Sequence, residues 1–230
     1  MDNQEFTVEA DGVFSFSIRK DGNSPWWWDL DLGGKPLYRL GNLCGTCATI
    51  FRLINNADLP LAPNELSQIL EDGLQETNSE INKTVSYLLP SGQYAVQVLT
   101  IKPSIKIREN DDYKLKWSWD VDYLWENNMK KSDNSVEYDV MFPIVAQSEL
   151  MSDRIQYYEE KLKRGDKPTA LALTLEDERD PSGRYHESVT AHILLDGHHK
   201  VMAASRLSCP ITVLSYNYHK FKGNYPVKTG

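Results

Sequence analysis

Residues 189–206 read VTAHILLDGHHKVMAASR, and this stretch decides how the last third of the chain folds. Its first part, Val189 to Leu195, is a mostly apolar run bounded by turns, which is typical of a strand buried on both faces. A turn follows at Asp196-Gly197-His198-His199-Lys200, and Val201 to Arg206 has a short helical pattern. The sequence therefore predicts a strand, a glycine turn and a helix in direct succession.

Such a turn is suited to hold a phosphate group. The first backbone N–H groups of a helix have no acceptor within the helix, and the helix dipole favours negative charge there. Gly197 lets the backbone approach an anion closely, while His198, His199 and Lys200 add side-chain donors. The predicted phosphate-binding residues are Asp196, Gly197, His198, His199 and Lys200. The alternative for the two histidines is a capped turn in which they form only local hydrogen bonds.

The elements around the turn complete an α/β pattern. They are a strand at Val140–Val145, a helix at Ser148–Arg164 with Ser148 as N-cap, a strand at Thr169–Leu175, an acidic loop at Glu176–Glu187 and a last strand at Ile211–Leu214. Gly165 follows the helix at the position where glycine commonly ends one.

In order and spacing, residues 140–216 resemble the ParB/sulfiredoxin superfamily, whose corresponding turn reads Gly-x-His-Arg or Gly-x-Arg-Arg and holds nucleotide phosphates. The Asp-Gly-His-His form at 196–199 is most similar to the branch of the free-serine kinases. Those enzymes transfer phosphate from a nucleotide to a small hydroxyl compound. The resemblance implies a nucleotide with Mg²⁺ as cofactor, and phosphotransfer or nucleotide hydrolysis as the activity.

Three features of the chain depart from the branches of this superfamily. His198 stands where sulfiredoxins carry their reactive cysteine, and the short tail after Leu214 leaves no helix-turn-helix of the ParB kind. Lys200 replaces the usual arginine, which keeps the charge but loses the bidentate fork. The predicted catalytic residues are His198, His199 and Glu149, the last as a general base. Glu149 could equally serve only as a charge that complements the helix N-terminus.

The whole chain is predicted to be α+β, with a mixed α/β region preceding the ParB/sulfiredoxin-like α/β domain. The predicted boundaries are an N-terminal region at 1–126, a polar linker at 127–139, the phosphate-binding domain at 140–216 and a tail at 217–230. In the first region, Trp26 to Leu32 predicts a strand that enters a hairpin at Gly33-Gly34. Helices are predicted at Cys44–Ile54, at Asn64–Leu70 with Asn64 as N-cap, and at Ile81–Leu89.

Cys44-Gly45-Thr46-Cys47 is a second candidate site. At a helix start the dipole lowers a thiol pKa, as redox motifs require, and the same spacing supplies two ligands for Zn²⁺. The alternative is a pair of small buried residues that pack a helix.

Three further features have structural and functional interpretations. Trp26-Trp27-Trp28 could stack on a ligand or anchor a partner, although core packing is the simpler interpretation. Asp29 and Asp31 share one strand face and could hold Mg²⁺, or could be solvated. The acidic run at 176–180 reads as a solvated loop with a possible metal role.

The composition narrows the partners and the compartment. A net charge of −8 argues against non-specific binding to DNA. The polar N-terminus, the lack of a long apolar run and the low cysteine count predict a cytoplasmic protein without a membrane span. The predicted ligand is a nucleotide or a phosphorylated small molecule. The alternatives are a non-catalytic sensor whose N-terminal half contacts a protein partner, and a zinc or thiol-redox protein that uses Cys44 and Cys47.

Overall fold

The computed structural model describes residues 4–18, 27–41, 50–58, 61–108, 119–179 and 186–219. The chain is α+β. The strands are β1 (Gln4–Val8), β2 (Phe14–Ile18), β3 (Trp27–Leu32), β4 (Lys35–Gly41), β5 (Ile50–Leu53), β6 (Gly92–Ile101), β7 (Ser104–Ile107), β8 (Trp119–Asp120), β9 (Tyr123–Lys131), β10 (Ser135–Phe142), β11 (Thr169–Arg179), β12 (His186–Asp196) and β13 (Ile211–Tyr218). The helices are α1 (Asn64–Asp72), α2 (Ser79–Ser86), α3 (Ser152–Lys163) and α4 (His198–Leu207).

These strands form two sheets within the described part of the chain. The larger has eight strands in the order β1-β6-β13-β11-β12-β10-β9-β7, and the smaller has five in the order β2-β3-β4-β5-β8. In the larger sheet β10 runs parallel to β12 and β11 parallel to β13, while the other pairs are antiparallel. The sheet is therefore mixed, with its parallel pairs at the centre.

Aromatic side chains join the two sheets. Phe142 at the end of β10 stacks on Phe51 of β5, with ring centroids 4.8 Å apart, and Tyr38 of β4 donates a hydrogen bond to the backbone oxygen of Pro143. Trp28 of the tryptophan run is buried and packs edge-on against Phe16 at 5.0 Å. Core packing is thus the observed role of Trp28.

Most of the turns and helix ends predicted here agree with the structure. The hairpin between β3 and β4 turns at Gly33 and Gly34, whose φ angles of 56° and 78° favour glycine. Gly165 follows α3 with φ 90°, as predicted. The cap of α1 was mispredicted: Asn64 is the first helical residue and Pro63 precedes it without a side-chain hydrogen bond.

Two N-terminal predictions differ from the structure. The helix predicted at Cys44–Ile54 is wrong in its second half, because Ile50–Leu53 forms β5 and buries Ile50 and Phe51 in the smaller sheet. Residues 42–49 lie outside the described ranges. The segment 127–139, predicted as a linker, forms most of the β9–β10 hairpin, and its polar character reflects the exposed side chains at the end of β9. Strands that precede and follow this segment hydrogen-bond in the same sheet.

The C-terminal helices and strands occur in the predicted order, but several of them begin or end at residues other than those predicted. Helix α3 begins at Ser152, after a short 3₁₀ turn at Gln147–Glu149, so that Ser148 is not its N-cap. Residues 176–179 extend β11, while 186 and 187 begin β12, where the acidic composition predicted a loop. His198, His199 and Lys200 form the first turn of α4. In the described residues, no helix has the length and apolar character needed to cross a membrane.

Candidate functional site

The predicted turn borders a cavity of about 240 Å³. One wall is formed by residues 196–200, at the start of α4. The others are formed by Ser67 and Glu71 of α1 and by three residues in or beside α3, namely Met151, Arg154 and Tyr158. The structure therefore brings together all five residues predicted to bind phosphate. It adds residues from a helix more than a hundred positions earlier in the sequence.

A glycine lies between strand and helix as the sequence predicts, but α4 begins at His198 rather than at Val201. Gly197 precedes the helix in the left-handed region, with φ 95°, and no side chain caps the helix. The first intrahelical hydrogen bond runs from the Val201 N–H to the Gly197 oxygen at 2.9 Å. The N–H groups of His198, His199 and Lys200 precede that bond, and N–H groups in this position are suited to hold an anion.

Lys200 is buried beside the cavity, with 3% of its surface exposed. Its Nζ donates to the backbone oxygen of Thr169 at 2.9 Å and lies 3.4 Å from Asp196 Oδ2. Burial lowers the pKa of the ammonium, and the adjacent Asp196 carboxylate partly opposes that change. An ammonium has three N–H donors, so these two contacts leave capacity for a ligand.

Arg154 contributes a guanidinium that the sequence analysis did not single out. Its Nη2 donates to the Tyr158 hydroxyl at 3.2 Å, and its Cζ lies 5.4 Å from the centre of the Tyr158 ring. Within the described ranges, no carboxylate oxygen lies within 4.0 Å of its side-chain nitrogens. Arg154 is therefore a cation held at the cavity by a neutral phenol.

Glu71 is the second residue that sequence reasoning missed. Tyr157 donates to Oε1 at 2.5 Å, Tyr158 donates to Oε2 at 2.8 Å, and Lys161 Nζ lies 3.3 Å from Oε1. Burial raises the pKa of this carboxyl, but these three donors outweigh burial and hold the pKa below its usual value. Glu71 is thus an ionised anchor that docks α1 against α3.

The charged residues that line the cavity are two cations, Arg154 and Lys200, and two carboxylates, Glu71 and Asp196. The Lys200 ammonium pairs with Asp196, and the Lys161 ammonium pairs with Glu71. Because Lys161, which is not part of the cavity wall, pairs with Glu71, Arg154 is the lining cation whose side-chain nitrogens have no carboxylate oxygen within 4.0 Å among the described residues. Asp196 itself cannot donate to a phosphate when ionised, so its place at the cavity is to hold Lys200.

Both predicted histidines border the cavity, and both accept a backbone hydrogen bond. His198 Nε2 accepts from the Ile144 N–H at 3.2 Å, and His199 Nε2 accepts from the Met151 N–H at 3.1 Å. Burial, with the charge of His199, lowers the pKa of His198 from 6.5 to about 3. Burial, followed by the charge of Arg154, also lowers the pKa of His199. The two imidazoles therefore fasten α4 to the segment between β10 and α3.

The remaining candidates that the structure describes do not line this cavity. Glu149 is exposed on the 3₁₀ turn and is not part of the cavity wall. Asp29 and Asp31 are buried rather than solvated, and Arg39 Nε donates to Asp29 at 3.1 Å. Cys44 and Cys47 lie outside the described residues, as does Trp26.

No metal-binding group is seen in the part of the chain that the structure describes. A search of those residues for three or more histidine, cysteine, aspartate or glutamate side chains around one point finds none. The Zn²⁺ and Mg²⁺ ions inferred from sequence accordingly stay predictions.

Comparisons with known proteins give no assignment. The chain matches no protein-family model, no curated protein and no solved structure. The likeness of residues 140–216 to the ParB/sulfiredoxin superfamily consequently stays a prediction, and the function is argued from the cavity alone.

Proposed function

We propose that this protein binds the phosphate group of a nucleotide or of a small phosphorylated molecule in the cavity at the start of α4. The observation that carries the proposal is Arg154, which borders the same cavity as the helix N-terminus and whose side-chain nitrogens have no carboxylate oxygen within 4.0 Å among the described residues. Guanidinium groups and helix N-termini are two of the donors that proteins use most for phosphate.

The energetics favour an anion at this point. A hydrogen bond between ionised partners contributes about 1.5–3 kcal/mol, roughly twice the contribution of a neutral one. Lys200 can add another such contact, because Asp196 and Thr169 do not use all of its donors. A divalent phosphate group would thus gain from both side chains and from the first turn of α4.

The size of the cavity defines how much of the ligand is enclosed. Its volume of about 240 Å³ lies below the range of roughly 300–1,000 Å³ typical of sites that enclose a drug-sized ligand. A phosphate group with a few attached atoms fits. The nucleoside part of a nucleotide would extend beyond the cavity.

Binding, rather than phosphoryl transfer, is the function we propose. A general base must be free to take a proton, and both carboxylates at the cavity already hold a lysine ammonium. Glu149, predicted from sequence as the base, does not border the cavity.

Calorimetric titration of the purified protein tests the proposal. The probes are inorganic phosphate and nucleoside mono-, di- and triphosphates, each with and without Mg²⁺. We expect saturable binding, and Arg154→Ala should weaken it at least about tenfold, since one charged hydrogen bond is removed. Arg164→Ala is the matched control, because Arg164 is exposed like Arg154 but does not border the cavity, and it pairs only locally with Asp166 at 3.3 Å.

Two outcomes would contradict the proposed function. One is the absence of binding by the wild-type protein for every probe. The other is an equal loss of affinity in the Arg154 and Arg164 variants, which would mean that net charge alone attracts the anion.

A further inference from the structure

The hydroxyl of Tyr158 connects Glu71 of α1 to Arg154 of α3. Its oxygen lies 2.8 Å from Glu71 Oε2 and 3.2 Å from Arg154 Nη2. An ionised carboxylate can only accept a hydrogen bond, and a guanidinium can only donate one. The single phenolic hydrogen therefore points at Glu71, and an oxygen lone pair is left to accept from Arg154.

The surroundings favour the charge states that this direction requires. Burial raises the pKa of the Glu71 carboxyl, but its three hydrogen-bond donors outweigh burial and lower the pKa below its usual value. Burial, followed by the hydrogen bond to Glu71, raises the pKa of the Tyr158 hydroxyl. Near neutral pH the carboxylate is consequently ionised and the phenol keeps its proton.

Arg154 is a side chain that needs such a contact. It is exposed, and in the part of the chain that the structure describes its side-chain nitrogens have no carboxylate oxygen within 4.0 Å. Two rings lie beside it, with Cζ 5.5 Å from the centre of the Tyr157 ring and 5.4 Å from that of Tyr158. Contact with a ring face leaves the guanidinium free to turn, whereas a hydrogen bond at Nη2 fixes its direction.

We propose that Tyr158 is a positioning residue whose hydroxyl, oriented by Glu71, holds the Arg154 guanidinium in one orientation at the cavity, where an oxyanion binds it. This inference rests on the proposed function, since it concerns how the same cavity binds its ligand. Tyr158 needs no contact with the ligand for this role. Anion affinity then depends on α1, whose carboxylate lies 87 positions before Tyr158.

Tyr158→Phe is the direct test, because it removes the hydroxyl and keeps the ring. The contacts of the ring with Arg154 Cζ at 5.4 Å and with Lys200 Nζ at 5.8 Å are retained. We expect calorimetric titration with inorganic phosphate to show binding weakened about three- to tenfold, because binding must then also order the Arg154 side chain. Equal phosphate affinity in the wild type and Tyr158→Phe would overturn the inference.

Tyr157→Phe is the matched control. The Tyr157 hydroxyl also donates to Glu71, at 2.5 Å, but among the described residues it makes no hydrogen bond to Arg154. Both variants lose one hydrogen bond to Glu71, so their midpoints of urea denaturation should be similar. We expect Tyr157→Phe to bind phosphate within about twofold of wild type. If the tyrosines only dock α1 against α3, both variants should lose affinity alike, which would exclude a positioning role.

A double-mutant cycle identifies the group on which Tyr158 acts. In the Arg154→Ala protein, Tyr158→Phe should cause no further loss of phosphate affinity, because the guanidinium that it positions is absent. A further loss as large as that in the wild type would refute the inference and leave the proposed function intact. Failure of the wild-type protein to bind phosphate would remove both.

The orientation of Arg154 can also be measured without a ligand. Nitrogen-15 relaxation of its Nε–H group should show a restricted side chain in the wild type and Tyr157→Phe, and a mobile one in Tyr158→Phe. Equal mobility in all three proteins would count against the inference even where phosphate binds.

Discussion

Gly197 determines the backbone geometry at the cavity. Its φ of 95° is one that side chains rarely adopt, and a Cβ there would lie 2.9 Å from Ala170 Cβ. Gly165 has nearly the same φ, 90°, but a Cβ there would meet nothing within 4 Å. Substitutions at the two glycines can therefore distinguish the destabilisation caused by a left-handed conformation from that caused by steric overlap.

This pair gives a prediction for stability. Gly165→Ala should lower the free energy of unfolding by about 1–2 kcal/mol, the cost of a left-handed conformation. Gly197→Ala should cost roughly 1–3 kcal/mol more, because it also forces overlap in the packed core. Urea denaturation of both variants measures the difference. Equal losses would show that Ala170 moves aside without cost.

The buried imidazole of His198 predicts an effect of pH. Its pKa is about 3 in the folded protein, against an ordinary value of 6.5. The neutral ring thus contributes stability that is complete above pH 6.5 and is lost as the pH falls from 6.5 towards 3, because only the unfolded chain gains the proton. The loss should approach about 1.4 kcal/mol for each pH unit in that window.

A comparison with His198→Gln isolates this contribution. Glutamine does not titrate, so the free energy of unfolding of the variant should fall less steeply between pH 7.5 and pH 5. Urea denaturation at these two pH values is the measurement. Parallel losses in the wild type and the variant would show that other groups account for the acid sensitivity.

For single residues, the sequence pattern locates the glycine turn before α4 but not the contacts that its side chains make. Asp196, Gly197 and Lys200 can be selected from local pattern, because a strand, a glycine and a helix start follow one another. The two histidines accept hydrogen bonds from Ile144 and Met151. Those partners lie about fifty positions earlier, where no local pattern identifies them.

Among the elements, four central strands are joined by a chain of polar side chains, of which His192, Thr174 and Ser215 are buried. His192 Nε2 of β12 lies 3.2 Å from Asp139 Oδ1 of β10, and His192 Nδ1 lies 2.7 Å from Thr174 Oγ1 of β11. Thr174 Oγ1 is in turn 2.7 Å from Ser215 Oγ of β13. Thr174 is the centre of the chain, because it contacts both the imidazole and the serine.

Removing the Thr174 hydroxyl should destabilise the fold. Thr174→Val keeps the shape but leaves His192 and Ser215 without their shared partner, which we expect to lower the free energy of unfolding by about 1–3 kcal/mol. Thr190→Val is the control, since Thr190 is only half-buried two residues before His192 in β12. Chemical denaturation gives both values, and a stabilised Thr174→Val protein would contradict this account of the network.

Element types were predictable where apolar pattern and turn residues agreed. The β3–β4 hairpin and the order of β11, β12, α4 and β13 follow from such signals. The pattern at 44–54 failed because Ile50 and Phe51 belong to a strand whose partners lie elsewhere in the chain. The polar stretch at 127–139 failed for a related reason, since an exposed hairpin has the composition of a linker.

For the whole molecule, the larger sheet depends on pairings that sequence pattern does not reveal. Strand β13 lies between β11 and β6, so residues near 95 pair with residues near 217. Glu71 reaches the cavity because α1 packs on β11, where the Leu74 N–H donates to Thr169 Oγ1 at 2.8 Å. Composition and periodicity determine elements, but they do not specify which distant elements meet.

The cavity is thus a property of the assembled fold. Residues 196–200 are contiguous in the sequence, while Arg154 comes from α3 and Glu71 from α1. The glycine turn lies within residues 140–216, but Glu71, whose carboxylate holds α1 against α3, lies outside that range.

The most direct test of the central claim is a titration of the protein with inorganic phosphate, followed by amide nitrogen-15 NMR. If phosphate binds at the start of α4, the backbone N–H signals of His199 and Lys200 and the side-chain signal of Arg154 should shift together and saturate with one dissociation constant. The signals of the smaller sheet should stay in place. Saturable shifts that omit Arg154 and the first turn of α4 would contradict it.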